Sequence, residues 1–222
     1  MNWPTDVDTA IKDQLHLRSE LVSTDFDLGS VKYALAIGVS YSSFTQTSIC
    51  VGVPCYSDCL PATEAYFEAE EVVEFPYVPG LFAYREGPAI SRLLASLDYQ
   101  PDLLFFDAQG VAHPRGFGLA CHLGVLYDTP SLGATRKRLF GKSRGCEKCD
   151  GAYSELVDKR GEIVGYEYRP LQHCASFFAS AGHRTNNSTL LQWLQSLQQF
   201  RGCFPVALEK AHNLANRKAF RR

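Results

Sequence analysis

The sequence predicts an α/β fold, a mixed sheet with flanking helices, and three observations predict it. Closely spaced strand patterns between residues 33 and 73 form a meander. After them, helical patterns alternate with short apolar runs of strand length, which places helices against a sheet. The third is size: 222 residues, 45% hydrophobic and 21% charged, suit a single domain over 1–222 with a full core.

The first element is an amphipathic helix over residues 6–22, where Val7, Ala10, Ile11, Leu15, Leu17 and Leu21 recur among charges. Tyr33–Tyr41 alternates as a strand. Tyr33, Leu35, Ile37, Val39 and Tyr41 share one face, and Ala34, Ala36, Gly38 and Ser40 share the other. Ser48–Val53 and a segment near Tyr66–Val73 continue the meander. A proline-rich turn at Phe75–Gly80 precedes a helix through about Ile90–Leu97. Leu103–Phe106 reads as a short buried strand that delivers Asp107 into a glycine turn. Gly116–Tyr127 has helical character, Ser131–Ala134 is a strand, and Tyr153–Tyr168 is a hairpin around Asp158–Gly161. Phe177–Ala179 is the last strand, and Leu190–Phe200 and Val206–Phe220 are closing helices.

The formal charge of −2 does not advertise a nucleic-acid partner, but its distribution is uneven. Acidic residues crowd Glu64–Glu74, while Arg136, Lys137, Arg138, Lys142 and Arg144 cluster, and Arg217, Lys218, Arg221 and Arg222 close the chain. Such clusters hold phosphates or simply face solvent, and charge alone favours the latter. No run reaches membrane-span length, and the opening MNWPTDVDTAIKD lacks the layout of a secretory signal. The expectation is an intracellular protein, cytoplasmic or nuclear, with no membrane partner.

Eight cysteines therefore read as reduced, mostly buried thiols, with disulfides disfavoured. Cys146 and Cys149 have the spacing of half a zinc site, with Cys55 and Cys59 as a weak second half. The overlapping sequons at Asn186–Thr189 carry little meaning in such a compartment.

Two carboxylates stand out. Glu86 follows Arg85 after the rigid segment FPYVPG, and Asp107 ends the buried run in FFDAQGVAHPR. Carboxylates beside turns and basic groups can assemble a divalent-metal site that acts on phosphodiesters. Each has a structural alternative: a salt bridge to Arg85 for Glu86, and a cap at the strand-to-turn junction for Asp107. The residues alone do not choose.

FPYVPGLFAYREGP, FFDAQGVAHPRGFGLACHLGVL, PSLGATRKRLFG and AGHR occur in an order that resembles the endonuclease V family over roughly residues 30–220. The resemblance implies a ribonuclease H-like mixed sheet with flanking helices. It implies a nuclease dependent on Mg2+, with Mn2+ as a substitute, acting near inosine in single-stranded RNA or deaminated DNA. RGFGLACHLGVL resembles eukaryotic members and tilts the expectation toward RNA. By the same resemblance Glu86 and Asp107 are metal ligands, His212 is the C-terminal active-site histidine, and Arg136 stands where relatives carry a catalytic lysine. Glu209 is a lesser candidate beside His212. Tyr77 resembles a wedge at the lesion base, and Gly80, Phe82, Ala108 and Leu119 match positions lining a hypoxanthine pocket. Ala108 stands where a glycine is usual, and would be strained if its φ were positive. His113 and His122 read as structural histidines. The expected assembly is a monomer.

One position departs from the family pattern. Relatives carry a metal-binding aspartate in a strand resembling Gly-Val-Asp-Val-Ser-Tyr, and Gly38 stands there in AIGVSY. Glycine supplies no ligand, and removing such an electrostatic group typically lowers a rate by ~10²–10³-fold or more. A non-catalytic inosine-binding protein on the same fold is therefore the alternative function.

Overall fold

The computed structural model describes residues 2–197 and 202–220. Its elements run α1 (Val7–Arg18), a 3-10 turn (Leu28–Ser30), β1 (Ala34–Ser42), β2 (Thr47–Cys55), β3 (Phe67–Val72), α2 (Phe82–Ala95) and β4 (Leu103–Phe106). There follow α3 (Leu119–Leu126), β5 (Ser131–Thr135), β6 (Ala152–Val157), β7 (Ile163–Arg169), β8 (Phe177–Ala181), α4 (Asn187–Ser196) and α5 (Val206–Phe220). The strands form one sheet in the order β3-β2-β1-β4-β5-β8-β7-β6. The central neighbours β1, β4 and β5 are parallel, and the other pairings are antiparallel.

Alternation on the central strands feeds two cores. Ala34, Ala36, Leu103 and Phe105 pack beneath α4 and α5, where Phe105 stacks on Trp193 with ring centres 5.1 Å apart. Leu35, Ile37, Leu104 and Phe106 pack beneath α2 and α3. A sheet covered on both faces explains why β4 reads as an unbroken apolar run, LLFF. On α5, Ala207, Ala211, Ala215 and Ala219 recur every fourth residue and are all buried, so this helix lies close on the sheet.

Several boundaries differ from expectation. Helix α2 starts at Phe82 rather than near Ile90, with Pro88 inside it. Burial of Ala83, Tyr84, Gly87, Ala89, Ile90 and Leu93 outweighs the hydrogen bond the proline forfeits. Glu86 thus stands on a helix, not in a turn. Helix α3 begins only after Gly118, and α1 ends at Arg18. Helix α4 starts earlier than expected because the Asn186 side chain caps it, accepting from Thr189 N. Residues 198–200 of the expected helix, with Arg221 and Arg222, lie outside the described residues.

The cysteine expectation needs correction. Cys174 and Cys203 form a disulfide, joining the β7–β8 connection to the segment ahead of α5. The folded chain brings these residues, 29 apart in sequence, to a Cα separation of 5.3 Å, inside the range a disulfide spans. Cys50, Cys55, Cys59 and Cys121 are buried free thiols, as expected. Among the described residues, His173, Cys174 and Cys203 form the one trio of potential ligands whose atoms converge within 4.8 Å. Cys146 and Cys149 therefore do not join Cys55 and Cys59 in a zinc site.

Candidate active site

The parallel pairing of β1 with β4 builds the site. Ile37 is opposite Phe106, so the next residues, Gly38 and Asp107, fall side by side, and Asp107 N donates to Ile37 O at 3.1 Å. Both face the layer that holds α5. From that helix His212 reaches Asp107, with Nδ1 2.8 Å from Oδ2. The Asn216 amide nitrogen lies 2.8 Å from His212 Nε2. An amide nitrogen only donates, so Nε2 accepts and the ring proton sits on Nδ1, directed at Asp107. No backbone N–H is capped by the Asp107 carboxylate among the described residues, which removes the capping alternative.

Glu86 approaches from α2 closely enough to feel the Asp107 charge, although the ligand atoms of Glu86, Asp107 and His212 do not all lie within 4.8 Å of one another. Burial, reinforced by the negative charge of Asp107, raises its carboxyl to about 8 against the pull of Arg85. The expected alternative, an ion pair with Arg85, does not form: the guanidinium donates to Phe75 O at 2.9 Å and lies 4.2 Å from the Tyr41 ring centre. A divalent cation would offset both the burial and the Asp107 charge that hold Glu86 protonated, and carboxylate oxygens are hard ligands that suit magnesium.

Gly38 is more than a missing ligand. A Cβ built there would lie 2.6 Å from His212 N and 2.9 Å from the Ala211 carbonyl carbon. The backbone of α5 fills the space into which a side chain would project. The alanine stripe and Gly38 are matching small surfaces, and together they let helix and strand close on each other. The space beside Gly38, where the resemblance leads one to expect a ligand, is therefore filled by helix backbone.

Arg136, just beyond β5, lies to one side. It donates to Glu209 Oε1 at 2.9 Å, and its guanidinium carbon stacks 4.0 Å from the Phe204 ring centre. Glu209 is three residues before His212, so α5 carries both the partner of Arg136 and the partner of Asp107.

The loop that follows Asp107 reaches the expected pocket residues. Ala108 and Leu119 are buried, and Ala108 has no left-handed backbone, so the alanine there is unstrained. Tyr77 is 68% exposed, with its ring 5.3 Å from that of Phe82. Gly80 has φ +83°, a conformation that favours glycine. Its carbonyl accepts from Gln14 Nε2 at 3.2 Å, His113 Nε2 at 3.0 Å and Arg115 Nη2 at 2.7 Å. Gln14 Nε2 also donates to Phe117 O at 2.7 Å, and Arg115 Nε donates to Gln14 Oε1. The Gly80 carbonyl thus faces inward, and the network fixes the turn that presents Tyr77 and Phe82.

His113, donating through Nε2, accepts Arg115 N at Nδ1 over 3.2 Å, and burial with the nearby Arg115 charge lowers it to about 4. His122 is enclosed by the rings of Trp3, Tyr84 and Phe117, and burial lowers it to about 3. His113 is fully hydrogen-bonded within the fold, whereas buried His122 Nδ1 has no hydrogen-bond partner among the described residues.

Sequence reading missed Gln14, Arg115 and Asn216. Asn216 was legible in principle, four residues after His212 on one helix face. Gln14 was not, because its partners lie 66 and 103 residues away.

The model of the endonuclease V family matches residues 15–213. An endonuclease V from Kosmotoga olearia is 33% identical over 219 residues, covering 97% of this chain and 93% of that protein. The crystal structure of an endonuclease V from Streptomyces avermitilis superposes with a TM-score of 0.88 at 28% identity, covering 98% of this chain and 94% of the other. An endonuclease V from Ciona intestinalis, solved with a 23-mer DNA containing an inosine followed by a ribo-adenosine, superposes at 0.77 with 19% identity, covering 96% and 97%. That last likeness is one of fold. With the family match over most of its length, its similarity to curated relatives and its ribonuclease H-like sheet, the chain belongs to the endonuclease V family.

Proposed function

We propose that this protein recognises inosine in nucleic acid and hydrolyses a nearby phosphodiester slowly, at the second bond on the 3′ side. The single observation that carries this reading is the placement of Asp107, hydrogen-bonded to His212 and electrostatically linked to Glu86, directly before the pocket residue Ala108. Asp107 and Glu86 would hold magnesium or manganese, which would supply charge stabilisation and a more acidic water. His212 restrains Asp107 through its Nδ1 proton. Arg136 provides a positive charge for phosphate once it exchanges Glu209 for substrate, and its planar fork suits that contact.

Recognition rests on the fixed turn. The exposed Tyr77 ring stacks where the base leaves its neighbours, and Phe82, Ala108 and Leu119 line the space that receives hypoxanthine. The Ciona relative's complex with inosine-containing DNA supports this substrate class. We place RNA first, on the resemblance to eukaryotic members, and deaminated DNA second.

A second reading, an inosine-binding protein without cleavage, is favoured by the contact between Gly38 and the α5 backbone. The test is cleavage and binding of single-stranded inosine RNA and DNA in magnesium and in manganese, with guanosine and adenosine controls. Inosine-selective binding with slow, metal-dependent cleavage is expected. Equal binding to all three nucleosides would remove the pocket assignment.

A further inference from the structure

On the side of the pocket wall away from Asp107 lies a basic groove of about 550 Å³. Its cations come from three separate parts of the chain: Arg18 from the last turn of α1, Arg115 from the loop, and Lys159 with Arg160 from the β6–β7 turn. Arg18, Lys159 and Arg160 are exposed and pair with no carboxylate among the described residues. The one lining carboxylate, Asp158, is engaged with its own turn, accepting Arg160 N at 2.7 Å and Glu162 N at 3.0 Å through one oxygen. Phe140 adds a half-buried aromatic surface.

The sheet register gives the groove its direction. Asp107 N bonds Ile37 O at the catalytic edge, whereas Val111 N bonds Ala181 O, and Ala181 pairs with Leu132, which pairs with Phe105. The loop therefore runs back along the sheet, away from the scissile position, before it reaches Arg115. Arg115 belongs to both features, because the guanidinium that binds Gly80 O also lines the groove.

We propose that this groove binds the phosphodiester backbone of the strand 5′ to the inosine, so that substrate is held on both sides of the flipped base. The proposal rests on the functional reading above, which puts the base against Phe82, Ala108 and Leu119, beside the Gly80 turn, and the scissile bond on its 3′ side. Cations drawn from three elements onto one cavity match a backbone of regular negative charge, and Phe140 offers a face for an unstacked base.

The test uses the full chain in EDTA and two labelled single-stranded RNAs sharing one 3′ flank. One has about ten nucleotides 5′ of the inosine and the other begins at the inosine, a spacing chosen to span a typical single-strand site. Lys159→Glu with Arg160→Glu should weaken binding of the 5′-extended RNA about ten-fold or more, and should lower the salt slope by about 0.7 for each phosphate that is no longer neutralised. Binding of the RNA without a 5′ flank should be unchanged. Arg18→Ala, on a different element, should give a smaller reduction with the same flank dependence, which guards against a folding defect in the hairpin. Equal weakening for both RNAs, weakening confined to a 3′ extension, or no change would overturn the proposal. Guanosine versions separate the two readings: absent inosine preference sinks the function, while absent flank dependence in either series sinks the groove.

Discussion

The proposed base-pocket wall and the proposed metal centre share one loop, residues 107–118, yet their polar groups are held to different degrees. In the wall, Gly80 O has three donors, both ends of Gln14 are bonded, and both nitrogens of His113 are engaged. In the centre, Asp107 holds His212, but Glu86 makes no hydrogen bond or ion pair among the described residues, and Gly38 contributes no side chain. The wall's polar groups are paired within the protein, whereas the Glu86 carboxyl has no hydrogen bond or ion pair among the described residues. The proposed recognition and chemistry are thus separable, and a change on β1 should weaken the second without disturbing the first.

The largest break in that comparison should come from Asp107→Asn. It removes half of the carboxylate pair and is expected to lower residual cleavage in manganese by ~10²–10³-fold, measured under single turnover. Inosine binding should persist, because none of the wall's hydrogen bonds involves Asp107. Parallel loss of binding would mean that the two regions are one unit.

Next in size is pH, because the two regions titrate in opposite senses. Glu86 is raised from 4.5 to about 8, so the stability it contributes to metal-free protein is full below 4.5 and is lost as pH rises through 8. His113 and His122 are lowered from 6.5 to about 4 and about 3, so their contribution is full above 6.5 and is lost as pH falls through those values. Glu86→Gln should flatten the alkaline limb of a denaturation-midpoint profile, worth on the order of a few kcal/mol, and leave the acid limb alone. A saturating divalent metal should act on the wild type in the same direction as the substitution.

The smallest effect sharpens the comparison from the wall's side. Gln14→Ala removes donors to Gly80 O and Phe117 O and should cost about 1 kcal/mol in stability. The preference for inosine over guanosine should drop as the turn loosens, while the metal dependence of cleavage stays as it was. Unchanged preference would show that the network supports the fold and not the pocket.

The sequence was most legible where a short pattern met a strong physical constraint. LLFF reads as a buried strand and is one, and the alternation over Tyr33–Tyr41 assigned Ala34, Ala36 and Gly38 to one face, where the cores place them. The proline at 88 concealed the start of α2, because its packing partners on the sheet are remote in sequence. The disulfide was illegible for a related reason: nothing local marks Cys174 and Cys203 as neighbours. In the site, Glu86, Asp107 and His212 were named through family resemblance, and the structure adds that Glu86 does not pair with Arg85 and that Asp107 contacts His212 and caps no backbone N–H among the described residues. The same geometry changed the meaning of Gly38. Strand periodicity put it on the catalytic face, but only the approach of α5 shows that a helix backbone stands in the ligand's place.

That approach is the central claim, and Gly38→Asp tests it most directly. Single-turnover cleavage of an inosine-containing RNA by the native and substituted chains, in manganese, should be read alongside their denaturation midpoints. A carboxylate at 38 must displace the α5 backbone, so the substitution should lower stability by about 1–3 kcal/mol and leave cleavage as slow as before. A fully stable Gly38→Asp protein that cleaves ~10²-fold faster or more would contradict the account, because restoring one catalytic group on that scale requires open space at the ligand position.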